Sequence, residues 1–175
     1  MSVVSSFFPD IPVIADSQVN YSALFASHSV DESDMILFMS VGAEKVCGAF
    51  VYSRKLMSKH NGRCADFSST VFPDGESFIE KLHNARNNEE YARLVSDCIC
   101  NTANIVMPDK VIVELEKNIF DGLEDLIEKD MSSRQAGKST FRLMVSRDIE
   151  EMKSSYCGAI LGICEKWLRS FAFEK

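Results

Sequence analysis

A layered α/β protein, opening with a β-meander and continuing through alternating helices and strands, is what this sequence predicts, and three observations carry the prediction. Residues 34–41 (DMILFMSV) and 46–52 (VCGAFVY) are two strongly apolar runs separated by the turn-like segment Gly42, Ala43, Glu44, Lys45, and Ser53 and Arg54 allow a second tight return. Residues 89–106 place Tyr91, Leu94, Val95, Cys98, Ile99, Thr102 and Ile105 on or near one face at helical spacing. Beyond Pro108, short apolar runs alternate with helical stretches, which is the element order of sheets covered by helices.

Taken in order, Asp10 to Ala15 reads as a short strand, and Val19 to Ala26, with Tyr21, Leu24 and Phe25, as a helix. The meander follows, its third strand spanning Lys55 to Ser58. Lys59 to Gly75 is rich in Gly, Asp, Ser and Pro and is expected to be a long loop of the kind that lines sites. Glu76 to Ala85 and Glu89 to Val106 are expected helices, the second stopped by Pro108. Lys110 to Leu115 (KVIVEL) suits a buried strand, Ile119 to Lys129 a helix, Phe141 to Val145 a strand and Glu150 to Phe171 a closing helix. That last helix presents Tyr156, Ile160, Ile163, Trp167 and Phe171 on one face, expected to be core or a self-association surface. No repeat of solenoid period, low-complexity segment or linker interrupts the chain.

Composition narrows the function. The chain has 175 residues, 46% of them hydrophobic and 26% charged, enough for one sizeable core and unlike a disordered protein. Nineteen basic against 26 acidic residues give a net charge of −7, and no Lys/Arg stripe offsets it, so nucleic-acid binding by this chain is not expected. Residues 1–8 lack a basic segment followed by a long apolar one, so no signal peptide or membrane span is expected and the reading is cytoplasmic. The six cysteines, Cys47, Cys64, Cys98, Cys100, Cys157 and Cys164, sit in apolar contexts, which suits reduced thiols.

Four segments, PVIADSQVNYSALFA, DMILFMSVGAEKVCGAFVYSRKLMSKHNG, ARNNEEYARL and MPDKVIVE, together resemble the ROK (repressor, open reading frame, kinase) family. The run from Asp34 to Gly62, DMILFMSVGAEKVCGAFVYSRKLMSKHNG, is similar without a gap to that family's strand, SxGxGxGxG, strand, GKLxxGxNG pattern. PVIADSQVNYSALFA, from Pro12 to Ala26, resembles the preceding PVxVENDANxAALxE segment. ARNNEEYARL (Ala85 to Leu94) and MPDKVIVE (Met107 to Glu114) resemble AxxGDxxAxxL and NPxxIVIGG, and Gly158 and Ala159 fall where the family has a terminal GAA. The resemblance implies an actin-like ATPase, RNase H-like fold. Residues 1–28 would be the hinge strand and helix at the end of the N-terminal lobe, and residues 29–175 the C-terminal lobe. No segment before Pro12 is long enough for a helix-turn-helix, so a cut-down protein or part of a longer regulator is expected.

Chemistry that the family needs is missing from the matching positions. The resemblance puts Gln18 at the place of the catalytic aspartate, with Asp16 and Ser17 beside it, and a Gln amide cannot take a proton from a sugar hydroxyl at neutral pH. Gly42 and Gly48 remain of the phosphate loop, but Glu44 and Val46 replace its middle glycines, and Glu44 would turn a negative charge toward phosphates. Glu114 and Leu115 stand where the late strand has its glycine pair, beside the family's adenosine, while Glu114 and Glu116 read from the residues alone as a solvated strand end. Asn61 and Gly62 match the sugar-binding NG; Asp66 takes the place of a sugar-binding glutamate, and Ser69 that of a histidine that contacts sugar and often zinc. The zinc loop itself is absent, so no metal and no cofactor are expected.

The remaining candidates are bland. Cys98 and Cys100 point apart on a helix; His28, His60 and His83 are scattered, only His60 adjoining the candidate loop; Gly137, Lys138 and Ser139 imitate a Walker A end, but Ser132 stands where its first glycine belongs. The expectation is a non-catalytic, ROK-like regulatory module, an effector-sensing or dimerisation domain suited to a sugar-responsive transcriptional regulator. Its sugar-binding candidates are Ser17, Gln18, Asn61, Gly62, Asp66 and Ser69. The alternatives are a glucokinase-like lobe that phosphorylates a hexose and an oligomerisation domain with a vestigial pocket.

Overall fold

The computed structural model describes residues 16–57, 64–116, 119–135, 141–146 and 157–164. The expected strand over 10–15 lies outside them. Helix α1 spans Gln18–Ser27, capped by Ser17, whose Oγ accepts from the Asn20 amide at 3.2 Å. Strands β1 (Met35–Val41) and β2 (Val46–Tyr52) form the expected hairpin, and β3 (Lys55–Leu56) completes the meander. Ser53 and Arg54 both adopt left-handed backbone, with φ of 50° and 56°, which is what a two-residue turn matching the twist of a hairpin demands. The expected loop over 59–75 contains one more strand, β4 (Ala65–Asp66), paired to β2. Two residues carry no periodicity, so this strand left no mark in the sequence.

Helices α2 (Phe78–His83) and α3 (Asn88–Val106) follow. Ser77 and Glu80 close a reciprocal cap at the start of α2, and the Asn87 side chain accepts from the Glu90 amide at 2.8 Å to start α3. Met107, at φ 51°, ends α3 in the left-handed conformation immediately before Pro108. Strand β5 (Lys110–Leu115) then runs parallel to β1. Helix α4 covers Leu123–Gln135, later at both ends than the expected 119–129. Gly122, at φ 83°, breaks the chain before it, and Arg134 extends its last turn by pairing with Asp130 on the same helix and Asp97 on α3. Strand β6 (Arg142–Ser146) lies parallel to β5.

The sheet order is β3, β2, β1, β5, β6, with β4 pairing the β3 side of β2. The central strands are buried on both faces, which explains their unbroken apolar character. One face carries Leu37, Met39, Val41, Val46, Val111, Val113 and Leu115 against Ile99 of α3 and Leu123, Ile127 and Met131 of α4. The other carries Ile36, Phe38, Ala49, Val51 and Ile112 against Ala23 of α1. The helix over 157–164 meets α1: a Cβ built on Gly158 would lie 1.8 Å from the Tyr21 carbonyl oxygen, so only glycine permits this approach. Ile160 and Ile163, expected on a packed face, are 60% and 55% exposed, because the glycine side of the helix is the one turned inward. Tyr156, Trp167 and Phe171 lie outside the described residues.

Candidate functional site

Side chains alternate across each strand, so register decides which residues share a surface. On the α1 face, the rows nearest the start of β1 are apolar, but the row at its end pairs Asp66 with Cys47, Cys47 with Ser40 and Ser40 with Glu114. One step further, Gly42 and Lys45 close the β1–β2 turn, with the Gly42 amide donating to the Lys45 carbonyl at 2.9 Å. Glu116 joins the same end, its amide donating to the Val41 carbonyl at 3.0 Å. The N-terminus of α1 overhangs these rows. Together they enclose a cleft of about 430 Å³ lined by Ser17, Gln18, Val19, Ser22, Ser40, Lys45, Cys47, Cys64, Glu114 and Glu116.

Glu114 is only 9% exposed, so it is no solvated strand end; it is a carboxylate built into the cleft wall. Glu116 lies over the turn: a Cβ on Gly42 would fall 2.2 Å from its Oε2, so the glycine leaves the room that this carboxylate fills. Its negative charge is felt on the far side, where burial first and Glu116 second push the Tyr91 phenol up to about 12. The charge expected from Glu44 is supplied instead by Glu116, since Glu44 is exposed at the turn and does not line the cleft. His83 of α2 braces the same turn, its Nε2 meeting the Ala43 carbonyl at 2.7 Å.

The sequence-based candidates divide. Ser17 and Gln18 line the cleft at the start of α1. Asp16, next to them, has its carboxylate committed to the Ser17 amide at 2.7 Å and to the Asn20 side-chain amide, a local cap for the helix. Asp66 and Ser69 lie together beside the cleft, the Ser69 hydroxyl donating to Asp66 at 3.0 Å. Partial burial works against the Asp66 charge, but hydrogen bonds from Ser69 and Ser68 and the nearby Lys45 hold its carboxyl below the usual range. Gly48 faces away from the cleft. A Cβ there would lie 2.5 Å from the Phe67 ring and 2.8 Å from the Phe38 carbonyl oxygen, so ring packing accounts for this glycine. Asn61, Gly62, His60 and residues 137–139 lie outside the described residues, and His28 caps the exposed end of α1.

Lys45, Cys47, Cys64, Ser22, Ser40 and Glu116 were not among the sequence-based binding candidates, and only the pairing of β2 with β4 and β1, the pairing of β1 with β5 and the packing of α1 over them gather these residues. All six cysteines are free thiols; Cys98 and Cys100 pack on the core side of α3, and burial pushes Cys98 up to about 11. Among the described residues, no cluster of three or more His, Cys, Asp or Glu side chains could hold a metal ion, and no helix is long and apolar enough to cross a membrane.

No family model matches the sequence, and no curated protein does. Solved structures do. A ROK family glucokinase from Streptomyces griseus, in complex with glucose and AMPPNP, superposes with a TM-score of 0.64 at 14% identity, over 89% of this chain and 69% of its own. The fold is that of the ROK sugar kinases. A ROK hexokinase from Thermus thermophilus gives 0.68 at 14% identity, over 91% of this chain and 69% of that one. A ROK family protein from Streptococcus pneumoniae, in complex with sucrose, gives 0.69 at 12% identity, over 94% and 70%. Partial coverage of those chains and a mixed sheet flanked by helices fit a C-terminal lobe of the actin-like ATPase fold. At these identities the likeness is one of ROK-like fold.

Proposed function

We propose that this chain is a non-catalytic ROK-like regulatory module whose cleft accepts a small neutral polar effector, of which a sugar is the leading class, without phosphoryl transfer. The observation that carries the reading is the Glu116 carboxylate filling the space over Gly42, with Glu114 buried beside it. A loop that holds phosphates offers bare backbone amides to anionic oxygens. Here the Glu116 carboxylate occupies that approach, so the turn at Gly42 leaves no room for a phosphate oxygen. Serine hydroxyls, an amide and Lys45 at the same wall are donors and acceptors suited to a polyol. Gln18 supports the same reading, because the cleft residue at the start of α1 is no base and the nearby Asp16 is engaged in capping.

In this reading residues 1–28 are a hinge segment and residues 29–175 the lobe it serves, and two copies associate about a two-fold axis. Exposed Ile160 and Ile163 support the last point. The decisive experiment measures the melting temperature with hexoses, with ATP and magnesium, and with neither, alongside a coupled assay of ATP turnover. A shift with a hexose and none with ATP is expected. ATP turnover above background would replace this reading with a kinase lobe, and no response to any hexose would leave the oligomerisation domain. Light scattering at micromolar concentration should give about twice the monomer mass of 19.6 kDa; the monomer mass would remove the dimer.

A further inference from the structure

Two thiols share the cleft wall. Strand β4 pairs Asp66 with Cys47, so Cys64, two residues earlier, emerges on the same face, diagonal to Cys47. Both line the cleft, Cys47 buried at 3% exposure and Cys64 half-buried. Lys45, in the turn just before β2, lines the same cleft. β4 makes two residue pairs with β2, and hydrogen bonds joining Phe67 and Ser68 to Val46 hold its far end, so the small adjustment needed to close an S–S bond of about 2.05 Å falls on Cys64 at the other end. The other four cysteines lie elsewhere: Cys98 and Cys100 two apart on α3, Cys157 and Cys164 on the helix over 157–164.

We propose that Cys47 and Cys64 form an oxidation-sensitive thiol pair in the cleft wall, converted by a peroxide into an intramolecular disulfide. Cys64, the more accessible, reacts first: its thiolate attacks one peroxide oxygen, the O–O bond breaks, and a sulfenic acid and water result. The Cys47 sulfur then attacks the Cys64 sulfur, the S–O bond breaks, and the hydroxyl leaves as a second water with the Cys47 proton. Each peroxide thus accepts two electrons and two protons from the pair. Burial pushes the Cys47 thiol up to about 11 and Lys45 works against that rise, so the closeness of the two sulfurs drives the second step, the Cys47 proton leaving as the S–S bond forms. The bond would lock β4 onto β2 and remove both thiols from the cleft, whatever ligand the cleft takes.

The test treats the full-length protein with hydrogen peroxide, alkylates remaining thiols and maps the peptides by mass spectrometry. A loss of two hydrogens from the intact mass, with the Cys47 peptide linked to the Cys64 peptide and the other four cysteines alkylated, is expected. Cys64→Ser should abolish the linkage; Cys47→Ser should stop at a sulfenic acid on Cys64 that a cyclic diketone traps. A disulfide mapping to any other pair, or Cys47 and Cys64 both recovered alkylated after oxidation of other thiols, overturns the proposal. The mapping on the unmutated protein decides it even if a variant fails to fold.

Discussion

Replacing Gly48 by alanine separates a packing role for this glycine from a ligand-binding one. The new Cβ would stand 2.5 Å from the Phe67 ring and 2.8 Å from the Phe38 carbonyl oxygen, where ordinary contact begins at 3.4 Å. Phe67 is half-buried and its ring can turn aside, but the Phe38 carbonyl belongs to β1, in the middle of the sheet, and cannot. Overpacking of this kind costs about 1–3 kcal/mol. Alanine recovers about 0.4–1 kcal/mol by restricting the unfolded chain. Because the carbonyl cannot move, the cost falls in the upper part of that range, about 2–3 kcal/mol, so the net loss is about 1–2.5 kcal/mol, and at about 2–4 °C per kcal/mol for a chain of this size the melting temperature should fall by about 2–10 °C. Calorimetry on Gly48→Ala, Phe67→Leu and the double variant supplies the assay. The double variant should lose less than the two single losses added, because the ring clash is shared while the carbonyl clash persists. Since Gly48 faces away from the cleft, any effector-induced shift should be unchanged. A Gly48→Ala protein that melts at or above the parent temperature would refute the packing argument.

Three further outcomes are expected. Ile99 is fully buried between α3 and the sheet, so Ile99→Ala should cost about 2–5 kcal/mol in urea unfolding with an unchanged slope; a loss under 1 kcal/mol would contradict its placement. The double change Ser53→Asn, Arg54→Gly suits two left-handed residues and should raise stability by about 1 kcal/mol, whereas a lower melting temperature would deny that turn. The Asp66 pKa is depressed on folding, so its contribution is complete above the unfolded value of about 3.9 and is lost as pH falls through the folded value. Asp66→Asn should therefore flatten the loss of stability below about pH 4, and an acid limb identical to the parent would exclude the Ser69 and Ser68 hydrogen bonds as its cause.

Residues 35–41, 46–52 and 110–115 are readable from the chain alone because a strand covered on both faces must be apolar at every position, and α3 because its buried positions recur at helical spacing. The Ser53–Arg54 return and the ROK-like fold followed from those segments and their order. What the chain could not declare was which of its polar residues share a surface. Glu114 and Glu116 look solvated at the end of an apolar run, and Lys45, Cys47 and Cys64 are unremarkable between hydrophobic neighbours. Only the register of β4 with β2, β2 with β1 and β1 with β5 aligns them under the start of α1, buries Glu114 and sets Glu116 over Gly42. The same pairing turned Gly48 away from the cleft, because one step along a strand moves a side chain to the opposite face. Apolar pattern is a local property that burial writes into each segment, whereas a cleft is a relation among segments distant in sequence, and it exists only once the sheet has chosen its order.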